Sequence, residues 1–360
     1  MNSNHKIAVI CNYELQPGRV GGMDYFFWMF DQKCKENKVA VDWFFPNKTE
    51  HGNYSHLSIF ASNTQTVESF FLEYCQKNQS NYSHIVTHFV ELCTPFFYKI
   101  NRFSKAKIIA VDHNPRPLKG YSLKKKVEKK IKGILYSKYI HLFVGVSKAT
   151  QKALLEDFGF HLKNKTIVVF NGINVERFIQ KKDFSSHSNF IIASHLRKEK
   201  GIQDVIEAVK NLKEYSFTID VYGKGNYELT LKQMVHEYSL GEIIRFKGSV
   251  ADLYERYAQY DYLIHPSHGE TFCYSVVESL LSNLPVITTR NQGNVLGLVE
   301  ENKNGFLFDE TNVTELELVL RNILNKEKAI QDIDGKSISK DFSLEKMVDN
   351  HFALIQENKL

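Results

Sequence analysis

Short runs of apolar, often β-branched residues alternate with longer segments of helical periodicity along most of the chain. The short runs predict buried strands, and the longer segments predict helices. The predicted strands of the first half are 5–12, 39–45, 84–89, 107–112, 142–147 and 166–170. Those of the second half are 190–194, 217–222, 243–246, 262–265, 285–289 and 306–308. This alternation predicts an α/β protein in which helices cover both faces of parallel sheets.

Two domains are predicted from the chain length and from a break in this alternation. With 360 residues, 43% of them hydrophobic, the chain exceeds the usual size of a single core. The polar interval 180–188 interrupts the pattern and predicts a linker. We therefore expect an N-terminal domain at 1–178, a C-terminal domain at 179–340, and a closing helix within 341–360.

Charge is distributed unevenly, although the net charge is only +5. Residues 1–178 hold 25 Lys and Arg against 14 Asp and Glu, whereas residues 179–360 hold 21 against 27. The positive excess is densest at 122–138, where Glu128 is the one acidic residue. Apolar residues recur there at helical spacing, namely Leu123, Val127, Ile131, Ile134 and Leu135. This segment predicts an amphipathic helix with a strongly basic face.

A helix of this kind either rests on an anionic membrane surface or is simply a solvated face. Binding to nucleic acid is not expected, because the nearby aromatic residues are not interleaved as stacking platforms. The five cysteines are scattered and form no Cys-x-x-Cys pair, which is typical of a reducing cytosol. Residues 1–6 run straight into the first predicted strand, so we expect no signal peptide and a cytoplasmic protein, peripheral on the inner membrane face if bound there.

Two glutamates lie between the strands predicted at 262–265 and 285–289. Glu270 falls in the loop after the first of these strands, and Glu278 falls two turns into a helix predicted at 272–281. Ligands of open α/β folds bind at the carboxyl ends of the strands, close to the N-termini of such helices. At this place one carboxylate can accept hydrogen bonds from hydroxyl groups such as those of a sugar, and the other can accept from those of a ribose.

This segment, with Pro266-Ser267 before the two glutamates, resembles the retaining glycosyltransferases of family 4. The resemblance implies a GT-B fold, in which two Rossmann-like domains face each other across a cleft and the last helix returns to the first domain. It implies that Glu270 faces the donor sugar and Glu278 the nucleotide ribose. The backbone amides near the sugar and diphosphate would be those of Phe272, Cys273 and Tyr274. The family often has Gly-Phe-Gly where this chain has Thr271-Phe272-Cys273, which leaves the identity of the hexose open.

A charged loop after the strand at 190–194 is similar to the family's diphosphate-binding loop. Lys200 and Gly201 are in register with the family pattern, but His195 stands where an arginine is usual and Arg197 follows two residues later. The resemblance implies that Lys200 holds the diphosphate, and we expect Arg197, in preference to His195, to substitute for the displaced arginine. A solvated charged turn is the alternative.

Further positions match family loops around the donor. In the C-terminal half these are Gly223, Lys247, Gly248, Val250, Gly293 and Asn294. In the N-terminal half, Gly21 and Gly22 resemble glycines that approach the donor phosphate, and His113 stands at a strand end where the family presents a histidine to the transferred sugar. Asn171-Gly172-Ile173 matches a family marker at the end of the first domain.

The resemblance implies a retaining transfer of a hexose from a nucleoside-diphosphate sugar, with UDP favoured over GDP. The acceptor would be a glycan or a lipid-linked molecule in the synthesis of cell-envelope polysaccharide or glycolipid. The resemblance implies that catalysis needs no metal, and no cofactor is expected. Asp332-x-Asp334 has the form of a metal-binding motif but lies in a polar tail region. The alternatives are a sugar-nucleotide epimerase or phosphorylase of the same architecture, or a non-catalytic subunit that binds sugar nucleotides or docks to membranes.

Overall fold

The computed structural model of the protein describes residues 5–18, 20–78 and 81–356. Its contacts divide the chain into two compact units. The first unit is Met1–Ile173 with Ser343–Leu360, and the second is Asn174–Phe342. The sequence predicted boundaries after residues 178 and 340, so the observed division lies a few residues away at each end.

Each unit contains one parallel sheet. The strands of the first unit are β1 His5–Cys11, β2 Val39–Phe45, β3 Ser58–Ala61, β4 His84–His88, β5 Lys107–Asp112, β6 Leu142–Gly145 and β7 Thr166–Val168. Those of the second are β8 Asn189–Ala193, β9 Thr218–Tyr222, β10 Ile244–Gly248, β11 Tyr262–His265, β12 Val286–Thr289 and β13 Gly305–Phe308. All the pairings in the two sheets are parallel, which confirms the predicted α/β class.

Helices connect the strands and cover the sheets. They are α1 Gly22–Glu36, α2 Val67–Asn78, α3 Pro95–Phe103, α4 Leu123–Tyr136, α5 Lys148–Phe158, α6 Ile202–Val209, α7 Glu228–Glu237, α8 Tyr274–Leu281, α9 Val313–Leu324, α10 Lys336–Phe342 and α11 Leu344–Gln356. Within the described ranges, none of them combines the length and apolar character that crossing a membrane requires.

The strand order in both sheets reverses once. The first sheet runs β3-β2-β1-β4-β5-β6-β7, and the second runs β10-β9-β8-β11-β12-β13. The connections therefore diverge on either side of β1 and β4 in one unit, and of β8 and β11 in the other. Loops that leave such neighbouring strands in opposite directions open a crevice at their carboxyl ends. This topology predicts candidate sites at the carboxyl ends of β1 and β4 in the first unit and of β8 and β11 in the second.

Strands that are covered on both faces explain the continuous apolar runs in the sequence. Trp43, Phe44 and Phe45 of β2 are all fully buried, although they point alternately to opposite faces. The indole nitrogen of Trp43 donates to Asp31 Oδ1 on α1 at 2.8 Å, so this buried polar atom is satisfied. The edge strand β3 was missed because its four residues are only half-buried or exposed and carry little apolar pattern.

The C-terminal helix α11 packs on the first unit, against α1. The amide of Leu344 donates to the Ile173 carbonyl at 2.9 Å, beside a parallel bridge between Ile173 and Ser343. A side chain at Gly172 would overlap the backbone of Leu344, so the Asn-Gly-Ile marker is a place of close backbone approach. Its physical role here is to let the C-terminal segment join the first unit.

The polar interval 180–188, predicted as a linker, packs on the second unit. Lys181 is buried, and its Nζ lies 3.1 Å from Asp261 Oδ1. The other oxygen of Asp261 accepts from the amides of Ser188 and Asn189. The linker prediction is therefore wrong, because polar composition does not show that a lysine will find a buried carboxylate.

Three buried histidines meet in the first unit. His88 Nδ1 lies 3.0 Å from His113 Nε2, and the His88 and His351 rings stack with centroids 5.7 Å apart. Burial lowers the pKa of His113 to about 3 and the pKa of His351 to about 4. These rings are therefore neutral in the folded protein near neutral pH.

This cluster predicts that the protein loses stability in mild acid. Below pH 6.5 these histidines bind protons in the unfolded chain but not in the folded cluster. The free energy of unfolding therefore falls as the pH drops toward about 4, by up to about 1.4 kcal/mol per pH unit for each histidine. His351→Phe removes one of these groups and retains the ring that packs on Phe26. We expect the melting temperature of this variant to fall less steeply between pH 6.5 and 4 than that of the wild type. His56→Phe, at an exposed histidine, is the control and should follow the wild-type slope; equal slopes for all three proteins would contradict the prediction.

Candidate functional site

The loops at the switch point of the second sheet meet through a glycine. Gly201 follows β8 with a φ of +71°, and a side chain there would overlap the carbonyl oxygen of Pro266, which follows β11. Only a residue without Cβ allows this approach in this backbone conformation. The contact brings the residue before Gly201 next to the loop that carries Glu270.

Lys200 and Glu270 form an ion pair at this contact. The Lys200 Nζ lies 2.5 Å from Glu270 Oε1, and the two side chains are only 13% and 11% exposed. The Nε2 atom of His265, the last residue of β11, lies 3.3 Å from the same carboxylate oxygen. The His265 ring itself is held by Ser275, whose Oγ is 3.2 Å from Nδ1. A carboxylate and an ammonium group therefore stand side by side at the carboxyl edge of the sheet.

The charge state of Glu270 is decided by these neighbours. Burial raises its pKa, but the adjacent His265 ring and the Lys200 charge outweigh burial and bring the pKa to about 2. The carboxylate is consequently ionised at neutral pH. An ionised carboxylate accepts hydrogen bonds from hydroxyl groups and is not itself a proton donor.

A second histidine fixes the loop that carries Glu270. His268 Nε2 lies 2.6 Å from Asp204 Oδ2 on α6, and the His268 amide donates to the Glu199 carbonyl at 2.9 Å. These bonds tie the loop after β11 to the loop and helix after β8. Sequence reasoning assigned no role to His265 or His268, although both lie in the segment that carries the family resemblance.

Glu278 lies on α8 and is held by a tyrosine. The Tyr257 hydroxyl donates to Glu278 Oε2 at 2.7 Å. Burial raises the pKa of Glu278, and the hydrogen bond from Tyr257 opposes that effect. Tyr257 lies in a short turn before β11, far from Glu278 in sequence, so no local pattern indicated it.

The N-terminus of α8 contains one departure from the family pattern. Cys273 is the residue before the helix and has a φ of +57°, a left-handed conformation that glycine adopts more easily. Phe272 is buried beside Tyr274 and Phe342, with ring centroids 4.8 and 5.8 Å away. Since α8 begins only four residues after Glu270, the positive end of the helix adjoins the loop that carries this carboxylate.

Three positions predicted to bind the donor stabilise the conformation of the strand-end loops. Gly223 has a φ of +128°, and a side chain there would overlap the Ser194 carbonyl oxygen. The Gly293 amide donates to Thr289 Oγ1 at 2.7 Å. The Asn294 side chain bonds both backbone groups of Val299, at 2.9 and 3.0 Å. These three residues shape the strand-end loops.

The other predicted residues of the second unit lie on the same edge or near it. Lys247 Nζ is 3.5 Å from Asp220 Oδ2, at the end of β10. Gly248 ends this strand with a φ of +71°, and Val250 follows, packed beside the cluster that includes Tyr222 and Tyr257. Arg197 is about half exposed and pairs with Glu199 at 3.2 Å. Lys200, rather than Arg197, is the cation in contact with Glu270.

Gly21, Gly22 and His113 belong to the first unit. The Gly21 amide donates to Asp24 Oδ2 at 2.9 Å, and Gly22 begins α1. Asp24 is fully buried and also accepts a hydrogen bond from the Tyr54 hydroxyl at 2.6 Å. These bonds stabilise the loop before α1. His113 is buried against His88 and stacks on Phe89, with ring centroids 4.2 Å apart.

The site in the second unit suits a ligand that carries both hydroxyl groups and negative charge. The ionised Glu270 offers hydrogen-bond acceptors, whereas Lys200 and the N-terminus of α8 favour an anion. Each feature is fixed by contacts between strand-end loops, not by one continuous segment.

Comparison with known proteins finds similarity to glycosyltransferases. The family described as Glycosyl transferases group 1 matches residues 174–338, which is nearly the whole second unit. An uncharacterized glycosyltransferase of Methanocaldococcus jannaschii is 24% identical over 327 residues, covering 81% of this chain and 91% of that protein. A second relative is the GtfA subunit of a UDP-N-acetylglucosamine–peptide N-acetylglucosaminyltransferase of Streptococcus gordonii. It is 29% identical over 169 residues, which cover 46% of this chain and 33% of the GtfA subunit.

Solved structures show the same fold. The crystal structure of Anabaena HepE in complex with UDP and glucose superimposes with a TM-score of 0.76 at 17% identity, covering 98% of this chain and 100% of HepE. At this level of identity the likeness establishes the architecture of two Rossmann-like domains. Residues 174–338 match the Glycosyl transferases group 1 model, and together with the relative named a glycosyltransferase this supports a transferase enzyme with the two-domain GT-B fold.

Proposed function

We propose that the protein is a retaining hexosyltransferase that uses a nucleoside-diphosphate sugar, with UDP as the nucleotide. The observation that carries this proposal is the Lys200–Glu270 pair at the switch point of the second sheet. Two similar proteins support the choice of nucleotide, since HepE was crystallised with UDP and glucose and the GtfA subunit is named for UDP-N-acetylglucosamine. The proposed acceptor is a glycan or a lipid-linked molecule in cell-envelope polysaccharide or glycolipid synthesis.

Glu270 and Lys200 would divide the donor between them. The ionised Glu270 accepts hydrogen bonds from the sugar hydroxyls, and Lys200 neutralises the diphosphate beside it. The N-terminus of α8, with the amides of Phe272, Cys273 and Tyr274, adds positive potential at the same place. Arg197 joins the diphosphate by exchanging Glu199 for phosphate oxygens, a movement that its half-exposed side chain allows.

In the proposed reaction, the bond between the anomeric carbon and the diphosphate oxygen breaks while the acceptor oxygen bonds to that carbon on the same face. The departing diphosphate gains negative charge and takes the acceptor's proton. Cations that are already in place lower the barrier most, because they stabilise charge that grows only in the transition state. Lys200 is such a cation, since Glu270 and the surrounding loops hold it before the donor arrives.

The rest of the donor would lie along the strand-end loops. Glu278, steadied by Tyr257, accepts from the ribose hydroxyls, and the loops of Lys247, Gly248 and Val250 flank the base. Gly223, Gly293 and Asn294 shape the surface beneath them. The family resemblance also implies donor contacts for Gly21, Gly22 and His113 of the first unit.

We also propose a cytoplasmic location, peripheral on the inner face of the cell membrane, and a reaction that needs no metal. The five cysteines, all buried and unpaired, support a reducing compartment. Lys200 and Arg197 would supply the positive charge that a divalent cation provides elsewhere.

The first test concerns the ion pair. Lys200→Met should lower kcat for transfer, and for the slow release of free nucleotide without acceptor, by about 10²- to 10³-fold, by analogy with oxyanion donors. Glu270→Gln should lower kcat/KM by about 10- to 100-fold, because hydrogen bonds to a charged group are lost. Steady-state kinetics over a panel of sugar nucleotides provides both values.

Lys198→Met is the matched control, since Lys198 is exposed on the same loop. Its rates should stay within about twofold of the wild type, as expected for a surface charge. Equal losses in the Lys198 and Lys200 variants would show that only general charge matters and would contradict the proposed role. Release of an epimerised sugar nucleotide, without transfer or hydrolysis, would favour an epimerase instead.

The second test concerns Tyr257. Tyr257→Phe keeps the buried ring and removes the hydroxyl that orients Glu278, so KM for the donor should rise by about three- to tenfold while kcat changes little. An unchanged KM, with binding of the free nucleotide also unchanged in calorimetry, would exclude Tyr257 as a positioning residue.

The third test removes metal ions. After dialysis against EDTA, transfer by the wild type should remain within about twofold of the untreated rate, because the proposed cations are side chains. A glycosyltransferase known to need a divalent metal should be assayed in the same buffer to show that chelation was effective. Loss of activity that added Mg²⁺ or Mn²⁺ restores would disprove the metal-independent reaction.

A further inference from the structure

The predicted amphipathic helix is present as α4, but its apolar side faces the solvent. Its exposed fractions are 81% for Leu123, 59% for Val127, 51% for Ile131, 69% for Ile134 and 50% for Leu135. Large aliphatic side chains on one helix normally face the core, and isolated exposed ones need no explanation. Five on one face of a single helix form a continuous apolar surface, which we call the outer face of α4.

Contacts on the opposite side of the helix fix this orientation. A side chain at Gly133 would overlap the Phe158 carbonyl, so the helix approaches α5 at the glycine. Lys129 is buried, with its Nζ 3.2 Å from Asp157 Oδ2 and 4.6 Å from the centroids of the Tyr121 and Phe158 rings. Turning the outer face inward would bury large side chains where only glycine fits and would leave Asp157 without Lys129.

Lysines are arranged in two groups around α4. Lys125 and Lys132 are neutralised by Glu128, each at 2.9 Å, and Lys132 also reaches Glu91 at 3.2 Å. A second group is exposed beside the outer face, namely Lys124, Lys126 and Lys130, although the Lys130 Nζ also lies 3.4 Å from the Leu155 carbonyl oxygen. Within the part of the chain that the structure describes, these three form no ion pair. The apolar surface is thus bordered by uncompensated positive charge.

We infer that the outer face of α4 inserts into the surface of an anionic membrane, with Lys124, Lys126 and Lys130 on the lipid headgroups. An interfacial helix buries its apolar face at the boundary between headgroups and acyl chains, and each flanking lysine adds attraction to anionic lipid. The charge pattern favours lipid over a protein partner, because a lipid surface supplies apolar depth and negative charge along the full length of a helix.

Insertion goes beyond charge attraction, since the aliphatic side chains would leave water. Binding should therefore persist in part at salt concentrations that screen the lysines. Only the biological role of this binding rests on the proposed function: it would bring a glycosyltransferase to an acceptor carried on lipid. The binding itself can be measured without donor or acceptor.

The test is flotation of the full chain with two kinds of vesicle, one of phosphatidylcholine and one of phosphatidylcholine with phosphatidylglycerol in equal parts. The wild type should float with the anionic vesicles, and part of the binding should survive high salt. The double variant Ile131→Gln, Ile134→Gln should bind at least about tenfold more weakly at every salt concentration, because burial of one isoleucine contributes about that factor. Leu229→Gln, at an exposed leucine of α7 in the second unit, is the matched control and should bind like the wild type.

Replacing Lys124, Lys126 and Lys130 by glutamine should remove the preference for anionic vesicles and spare the salt-resistant part. Donor hydrolysis should be unchanged in all these variants, which shows that they fold and separates this test from the proposed function. Absence of wild-type flotation, or equal binding by the isoleucine variant, would overturn the inference. A wild-type dimer in solution that the isoleucine substitutions disperse, without vesicle binding, would overturn it in favour of a second copy of this chain.

Discussion

The close contact between the loops after β8 and β11 is the constraint on which the site depends. Gly201 allows the backbone to pass the Pro266 carbonyl, and this approach places Lys200 against Glu270. Neither charged side chain would remain so far from water without the other, because an unpaired charge is costly to bury. The glycine and the ion pair therefore act as one unit, in which the backbone contact supplies the geometry and the pair compensates the buried charges.

The sheet topology is the reason that this contact exists. Strand order reverses between β8 and β11, so their following loops are neighbours in space although they are some seventy residues apart in the chain. The bond between His268 and Asp204 then joins the loop after β11 to α6. Several short polar contacts in this region hold two loops of different origin as one surface, which a ligand would meet already formed.

Helix α4 also contains a buried lysine, but there the charged side chain packs inside while the apolar side chains face outward. Lys129, normally a surface residue, is buried between two aromatic rings and paired with Asp157, whereas five large aliphatic residues face outward. The close approach at Gly133 keeps the helix in this rotation. The local pattern correctly predicted a helix with one apolar and one basic side, but it contained no information on which side would pack.

Local periodicity and turn residues were enough to predict the α/β class, most strands, several helices and the segment that carries Glu270 and Glu278. Short or half-buried elements such as β3 were not predicted, because an edge strand has no strong apolar pattern. The contacts between polar groups, in contrast, depend on the folded arrangement of the chain. Tyr257 with Glu278, Lys181 with Asp261 and His268 with Asp204 are pairs of distant residues, and their partners follow from strand order and backbone approach. The same applies to the rotation of α4, because the buried face of a helix is selected by the shape and charge of the surface it meets.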